Sequence, residues 1–206
     1  MRVTSPKGEA VWPSIITPTQ FRDGPLQYEC KLRLSLDEAS TINFIDDLEA
    51  ELENGVEQLN EWRSRRGEKT LTSKQLTKRA PLPWAEELDD DAKPTGNMLI
   101  KTKLKAERKL KGNVVSQRPM VFDGEGNPFP VDTPVWSGSV VSLAVDPFPY
   151  YVPSIGYGVT LQLRGVQVHK VVNGENQDSP EAFGFVVAES EIREVSENEV
   201  LAAEEF

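Results

Sequence analysis

The 206-residue sequence holds a single cysteine, Cys30, and a single histidine, His169. One thiol excludes an internal disulfide framework and a multi-thiolate metal site. One imidazole excludes the paired histidines of an H-E-x-x-H metal helix, and no glycine-rich phosphate loop with its lysine is present. Long apolar runs are also missing: none approaches the ~20 residues of a transmembrane helix, and the mean hydropathy is -0.44. Met1-Arg2-Val3-Thr4-Ser5-Pro6 does not lead into the apolar stretch of a secretory signal, so an intracellular protein is expected. His169 sits in Val166-Gln167-Val168-His169-Lys170, a strand pattern in which a solitary histidine is structural, and Cys30 lies on an apolar strand face as a small hydrophobe. Asp89-Asp90-Asp91 are consecutive, and consecutive carboxylates do not converge on one cation. The residues point away from an enzyme, a cofactor or metal, and a membrane.

Charge is abundant but segregated. The net charge of -10 argues at first against a polyanionic partner. Yet residues 189–206 carry seven glutamates (Glu189, Glu191, Glu194, Glu197, Glu199, Glu204, Glu205) against Arg193, a net -6, which leaves about -4 for the rest. Within that rest, residues 93–118 hold eight lysines and arginines against Glu107, and residues 63–79 hold seven against Glu68. Two basic stretches and an acidic tail predict polyanion contact together with a mobile anionic arm.

Local patterning predicts mostly strands. Tyr28, Cys30, Leu32, Leu34 and Leu36 alternate with Glu29, Lys31, Arg33 and Ser35, the period of a half-buried strand. Residues 10–16 read as a weaker strand interrupted by Pro13, which suits an edge or a bulge. Ser35 with Glu38 offers a capping box, after which Ile42, Ile45, Leu48, Leu52, Val56, Leu59 and Trp62 recur at helical spacing. A helix over residues 37–65 is expected, its acidic middle facing water. Residues 66–97, rich in charge, proline and glycine, read as an excursion between elements. Further strands are expected at 97–105, 118–122, 140–145, 159–172 and 183–187, with Asp123-Gly124-Glu125-Gly126-Asn127 as a turn of hairpin chemistry. These elements suggest a mainly β protein: an OB-fold-like, five-stranded antiparallel barrel over residues 1–188 with one long helical insertion at about 37–66, followed by a mobile acidic tail at 189–206.

Three constellations carry chemistry. Met98, Ile100, Thr102 and Leu104 alternate with Lys101, Lys103 and Lys105, so three ammonium groups share one strand face, continued by Arg108, Lys109 and Lys111. Pro147-Phe148-Pro149-Tyr150-Tyr151, read as a proline-rich loop, offers Phe148, Tyr150 and Tyr151 as stacking platforms for unpaired bases, and Ile155-Gly156-Tyr157-Gly158 follows it. Glu204, Glu205 and Phe206 place a terminal aromatic beside its own carboxylate, which gives a partner both an apolar anchor and an anion to grip. A cationic strand and aromatic rings in one barrel form a groove that holds a backbone by charge and bases by stacking.

In order along the chain these parts resemble the replication single-stranded DNA-binding proteins of short-tailed bacteriophages, the OB-fold type whose acidic tail ends in phenylalanine. Val159-Thr160-Leu161-Gln162-Leu163-Arg164-Gly165-Val166 is similar to that family's V-K-L-Q-L-x-x-V strand. Pro147-Phe148-Pro149-Tyr150 resembles its P-Y-K-W segment, with tyrosine in place of tryptophan, and Lys78-Arg79-Ala80-Pro81-Leu82-Pro83-Trp84 resembles K-K-P-L-K-P-Y. The tail here is shorter and less acidic than that family's. The resemblance implies sequence-independent coating and annealing of single strands in phage DNA replication and recombination, in the cytoplasm of the infected bacterial host. It also implies a homodimer and recruitment of a phage DNA polymerase and a helicase-primase through the tail. Two other classes fit the residues: an RNA-binding OB module of translation or transcription, and a virion or assembly protein whose tail only aids solubility.

Overall fold

Alternation decides the strands. The computed structural model of the protein describes residues 1–110 and 112–172. In it the expected strand at 28–36 is β3 (Gln27–Ser35), with Tyr28, Cys30, Leu32 and Leu34 buried and their neighbours turned outward. Its partner β5 (Pro94–Lys105) buries Ile100, Thr102 and Leu104 and exposes Lys101, Lys103 and Lys105. The remaining strands are β1 (Val3–Thr4), β2 (Gly8–Thr19), β4 (Trp84–Leu88), β6 (Glu107–Leu110), β7 (Asn113–Ser116), β8 (Met120–Phe122), β9 (Val140–Val152) and β10 (Gly156–Lys170). The described residues lie within one unit, Met1–Asn173. Lys111, the strand expected at 183–187, the domain end expected at 188 and the tail with Glu204, Glu205 and Phe206 lie outside the described residues.

Strands β9, β2, β3, β5 and β10 pair in that order, and β10 pairs again with β9, so five strands form a ring of OB type. Four of the joins are antiparallel, but β5 and β10 run parallel, with Leu161 opposite Thr102 and Gln162 opposite Lys103. The expected antiparallel barrel thus carries one parallel join, and parity gives the reason: an odd number of strands cannot alternate direction around a closed ring. In β10 a register shift between Leu163 and Gly165 lets Val159, Leu161 and Leu163 point inward, and Val166 and Val168 as well. β1 and β8 flank the ring on β9 and β10, β4 on β5, and β6 with β7 makes a separate ribbon.

The helical insertion is α1 (Ala39–Arg65), followed by the short α2 (Ser73–Thr77). Its start is a correction. Ser35 stays in the β3 ladder opposite Asn97, so it cannot cap the helix, and Glu38 stands at the N-cap with no side-chain cap hydrogen bond. Burial of Thr41, Phe44, Leu48, Leu52 and Gly55 on one face supplies the anchoring instead. A buried Leu or Phe contributes ~1.5–3 kcal/mol, more than the ~1 kcal/mol of a typical cap. Ile42, expected on that face, is exposed, while Ile45, Val56 and Leu59 are half-buried at its border. Gly55 is required at its position: a Cβ there would lie 2.7 Å from Tyr157 Oη and 3.0 Å from Pro149 Cβ. The Tyr157 hydroxyl, from β10, donates to the Leu52 carbonyl and locks helix to ring.

The 66–97 excursion holds more structure than its sequence suggests. Thr72 and Gln75 form a reciprocal capping box for α2. The backbone then ties to β10, with Ala80 N–H donating to Tyr157 O (2.7 Å) and Tyr157 N–H to Lys78 O (2.9 Å). Trp84, buried, begins β4. The Asp123 turn forms, its Oδ1 accepting from Glu125 and Asn127 N–H (2.9 and 2.8 Å), but it returns the chain to bridge Phe122 with Pro128 and does not pair β8 with β9. β8 lies parallel to β10 instead.

Candidate nucleic-acid interface

A groove of about 400 Å³ crosses the outer face of the ring, lined by Trp12, Lys31, Lys101, Lys103, Thr160 and Tyr150 among others. Every ring strand contributes: Trp12 comes from β2, Lys31 from β3, the two later lysines from β5, Thr160 from β10 and Tyr150 from β9. Lys31 and Lys101 are direct cross-strand neighbours. Like charges so placed destabilise a sheet by a few tenths to ~1 kcal/mol. Glu29 also lines the groove, but among the described residues none of Lys31, Lys101 and Lys103 forms an ion pair. Glu29 faces Lys103 across the ladder, yet its carboxylate accepts from Gln27 Nε2. An anion in the groove would relieve the repulsion.

The contrast with Arg33, also on β3, is instructive. Its guanidinium donates to both oxygens of Glu87 at 2.6–3.0 Å and to Glu9 at 2.8 Å, joining β3 to β4 and β2. The Arg33 hydrogen bonds hold the Glu87 carboxyl below its ordinary range. Arg33 is therefore committed to the fold, whereas the lysines of the groove remain available.

The segment 147–151 is not a loop. It is the second half of β9, paired residue for residue with β10 from Asp146 opposite Gln162 to Val152 opposite Gly156. Phe148 and Tyr150 share the outer face. Tyr150 lies against Gly158, where a Cβ would come within 2.9 Å of its hydroxyl, so glycine there lets the ring lie across β10. Phe148 is exposed and packs on Trp62 of α1, ring centroids 5.0 Å apart. A second hollow of about 270 Å³ adjoins them, lined by Trp62, Arg63, Arg66, Phe148, Tyr150 and Tyr151. Tyr150 lines both hollows and so stands between the cationic groove and the aromatic one.

Of the residues singled out in the sequence, Lys101, Lys103 and Tyr150 meet in the groove and Phe148 stands next to it. Lys105 continues the row on β5 but lies outside the hollow. Arg108 and Lys109 sit on the exposed β6–β7 ribbon, off the ring strands. Tyr151 packs partly against the core, opposite Tyr157. Tyr157 itself is fully buried, with Arg79 over its ring at 5.1 Å. Trp12, Lys31 and Trp62 are not among the site residues expected from sequence, although the alternation of β3 puts Lys31 on the polar face and helical spacing puts Trp62 on the apolar side of α1. Cys30 is inert, its thiol pushed up to about 12 by burial.

The ring and its insertion have known counterparts. One is gp2.5, a single-stranded DNA-binding protein encoded by bacteriophage T7, at a TM-score of 0.65 with 18% identity over 86% of this chain and 96% of that one. Another is the single-stranded DNA-binding protein of bacteriophage Enc34 in complex with ssDNA, at 0.55 and 17% identity over 84% and 88%. The chain has the fold of bacteriophage single-stranded DNA-binding proteins. A further structure of the Enc34 protein agrees at 0.52 with 16% identity over 88% and 89%. No protein-family model matches the sequence, and no curated protein does.

Proposed function

We propose that this chain binds single-stranded DNA without reading its sequence. The observation that carries the reading is the row of unpaired lysines, Lys31, Lys101 and Lys103, running between aromatic residues on an OB-type ring. Lys101, Lys103 and Lys105 hold phosphates, Arg108, Lys109 and Lys111 extend the contact, and Phe148 and Tyr150 stack bases, with Tyr151 supporting them. The fold shared with phage proteins that bind single strands supports this reading. Titration of the intrinsic fluorescence with poly(dT) tests it: affinity falls steeply between ~50 and ~500 mM salt as counterions return to the strand. Equal binding at both salts sinks the proposal, and tighter binding of poly(rU) than poly(dT) selects an RNA-binding module instead.

The wider role follows as part of the same proposal: coating and annealing of strands in phage DNA replication and recombination, within the infected host's cytoplasm, by a homodimer. Residues 189–206, with their net -6, compete with DNA for the lysines, and Glu204, Glu205 and Phe206 engage a DNA polymerase or helicase-primase. A tethered competitor acts at an effective concentration up to the millimolar range. Removing residues 189–206 raises DNA affinity at ~50 mM salt; an unchanged affinity removes the competition from the scheme.

A further inference from the structure

Trp12 is exposed where a tryptophan gains nothing from the fold. It is 76% exposed, more than any large apolar side chain of the described residues except Met1. Its backbone is left-handed, with φ of 50°, a region in which a bulky residue is an outlier. Arg22 and Ala92 share that property but sit in connecting turns. Trp12 sits inside β2, where the register slips: Val11 pairs with Lys31, and Ser14 with Glu29. Its N–H is held outward by Ser137 Oγ at 2.9 Å. Strain of this kind persists where the surroundings enforce it and gathers at binding sites.

The side chain released by that strain lines the cationic groove. Taken around the ring as β2, β3, β5, β10, β9, the groove begins at Trp12, crosses Lys31, Lys101, Lys103 and Thr160, and ends at Tyr150. We infer that Trp12 is a base-stacking residue, the second aromatic wall of the groove, and that the strained bulge of β2 exists to present it. This inference rests on the single-stranded DNA reading above. A large π-face at one end and Tyr150 at the other bracket the phosphate-binding lysines, so neighbouring unpaired bases are held at both ends of the cationic row.

The test sets binding against stability. Trp12→Gly removes the ring and suits the left-handed backbone, so thermal unfolding occurs at the parent's temperature or above it. Affinity for poly(dT) at ~50 mM salt falls about tenfold, within the range of one lost stack. Trp12→Phe keeps most of the affinity, and quenching by poly(dT) shrinks in both variants because one of the four emitting indoles, the one that lines the cationic groove, is gone. If Trp12→Gly binds as the parent does while Lys101→Glu weakens binding, the inference about Trp12 falls and the DNA reading stands. If Trp12→Gly unfolds at a lower temperature and Trp12→Phe loses affinity equally, Trp12 is a structural residue and the inference is again overturned. If the parent fails to bind poly(dT), both readings fall together.

Discussion

Strands β2 and β9 both carry proline beside an aromatic residue, yet only β2 slips register at that proline. Pro13 accompanies a bulge, with one extra residue between Val11 and Ser14 and Trp12 thrown into left-handed backbone. Pro147 and Pro149 leave β9 paired one to one with β10. The spacing accounts for the difference. Residues two apart share one edge of a strand, so both missing N–H groups face away from β10. On that side β9 has partners only up to Val145, through β1 and β2. Proline on an open edge costs no ladder hydrogen bond. The two strands thus display aromatic residues differently: β9 keeps its alternation and presents Phe148 and Tyr150 on the outer face, while β2 interrupts its own and presents Trp12.

The largest effect is expected where the helix fixes β9. Gly55 of α1 leaves no room for a side chain against Tyr157 and Pro149. Gly55→Leu forces helix and strand apart and costs about 3 kcal/mol, the upper part of the usual range for overpacking. Urea unfolding with an unchanged slope measures it. A midpoint equal to the parent's would mean that β9 is held by its ladder alone, and that the helix contributes nothing to the difference between the strands.

Next come the rings themselves. Tyr150→Ala weakens poly(dT) binding by ~1–3 kcal/mol with the unfolding midpoint little changed, since its ring lies on the outer face. Phe148→Ala weakens binding similarly but also loses the packing on Trp62, an aromatic pair of ~0.5–1.5 kcal/mol, so its stability drops as well. Calorimetry beside the titration separates the two. A stable Phe148→Ala with full affinity returns Phe148 to a plain surface residue.

The sequence disclosed whatever rests on alternation: β3, the lysine face of β5, the long helix and the ring they imply. Less visible were features set by partners distant in the chain. Trp84-Ala85-Glu86-Glu87-Leu88 has no alternating pattern, and β4 forms because β5 offers an edge and Trp84 finds burial. Phe148 and Tyr150 are legible as rings, but the two prolines beside them suggest a loop unless the open edge of β9 is known. Trp12 gave only the hint of a tryptophan before a proline. Its exposure depends on the bulge, and the bulge depends on which neighbours are buried.

The smallest effect tests what makes that bulge. Ala10 and Ile15 are both buried, at 0% and 3% exposure. They stand five residues apart, and in an unbroken strand such residues face opposite sides. The core pattern of β2 therefore demands an extra residue between them whether or not position 13 is proline. Ser137 pins the extra residue by its N–H. Pro13→Ala accordingly keeps the bulge, loses under ~1 kcal/mol through a freer unfolded chain, and leaves poly(dT) affinity within about twofold of the parent's. The opposite outcome is specific. If Pro13→Ala loses as much affinity as Trp12→Gly, the pyrrolidine ring and not the buried Ala10–Ile15 pair sets the direction of Trp12, and the proline of β2 acts through the backbone in a way that those of β9 do not.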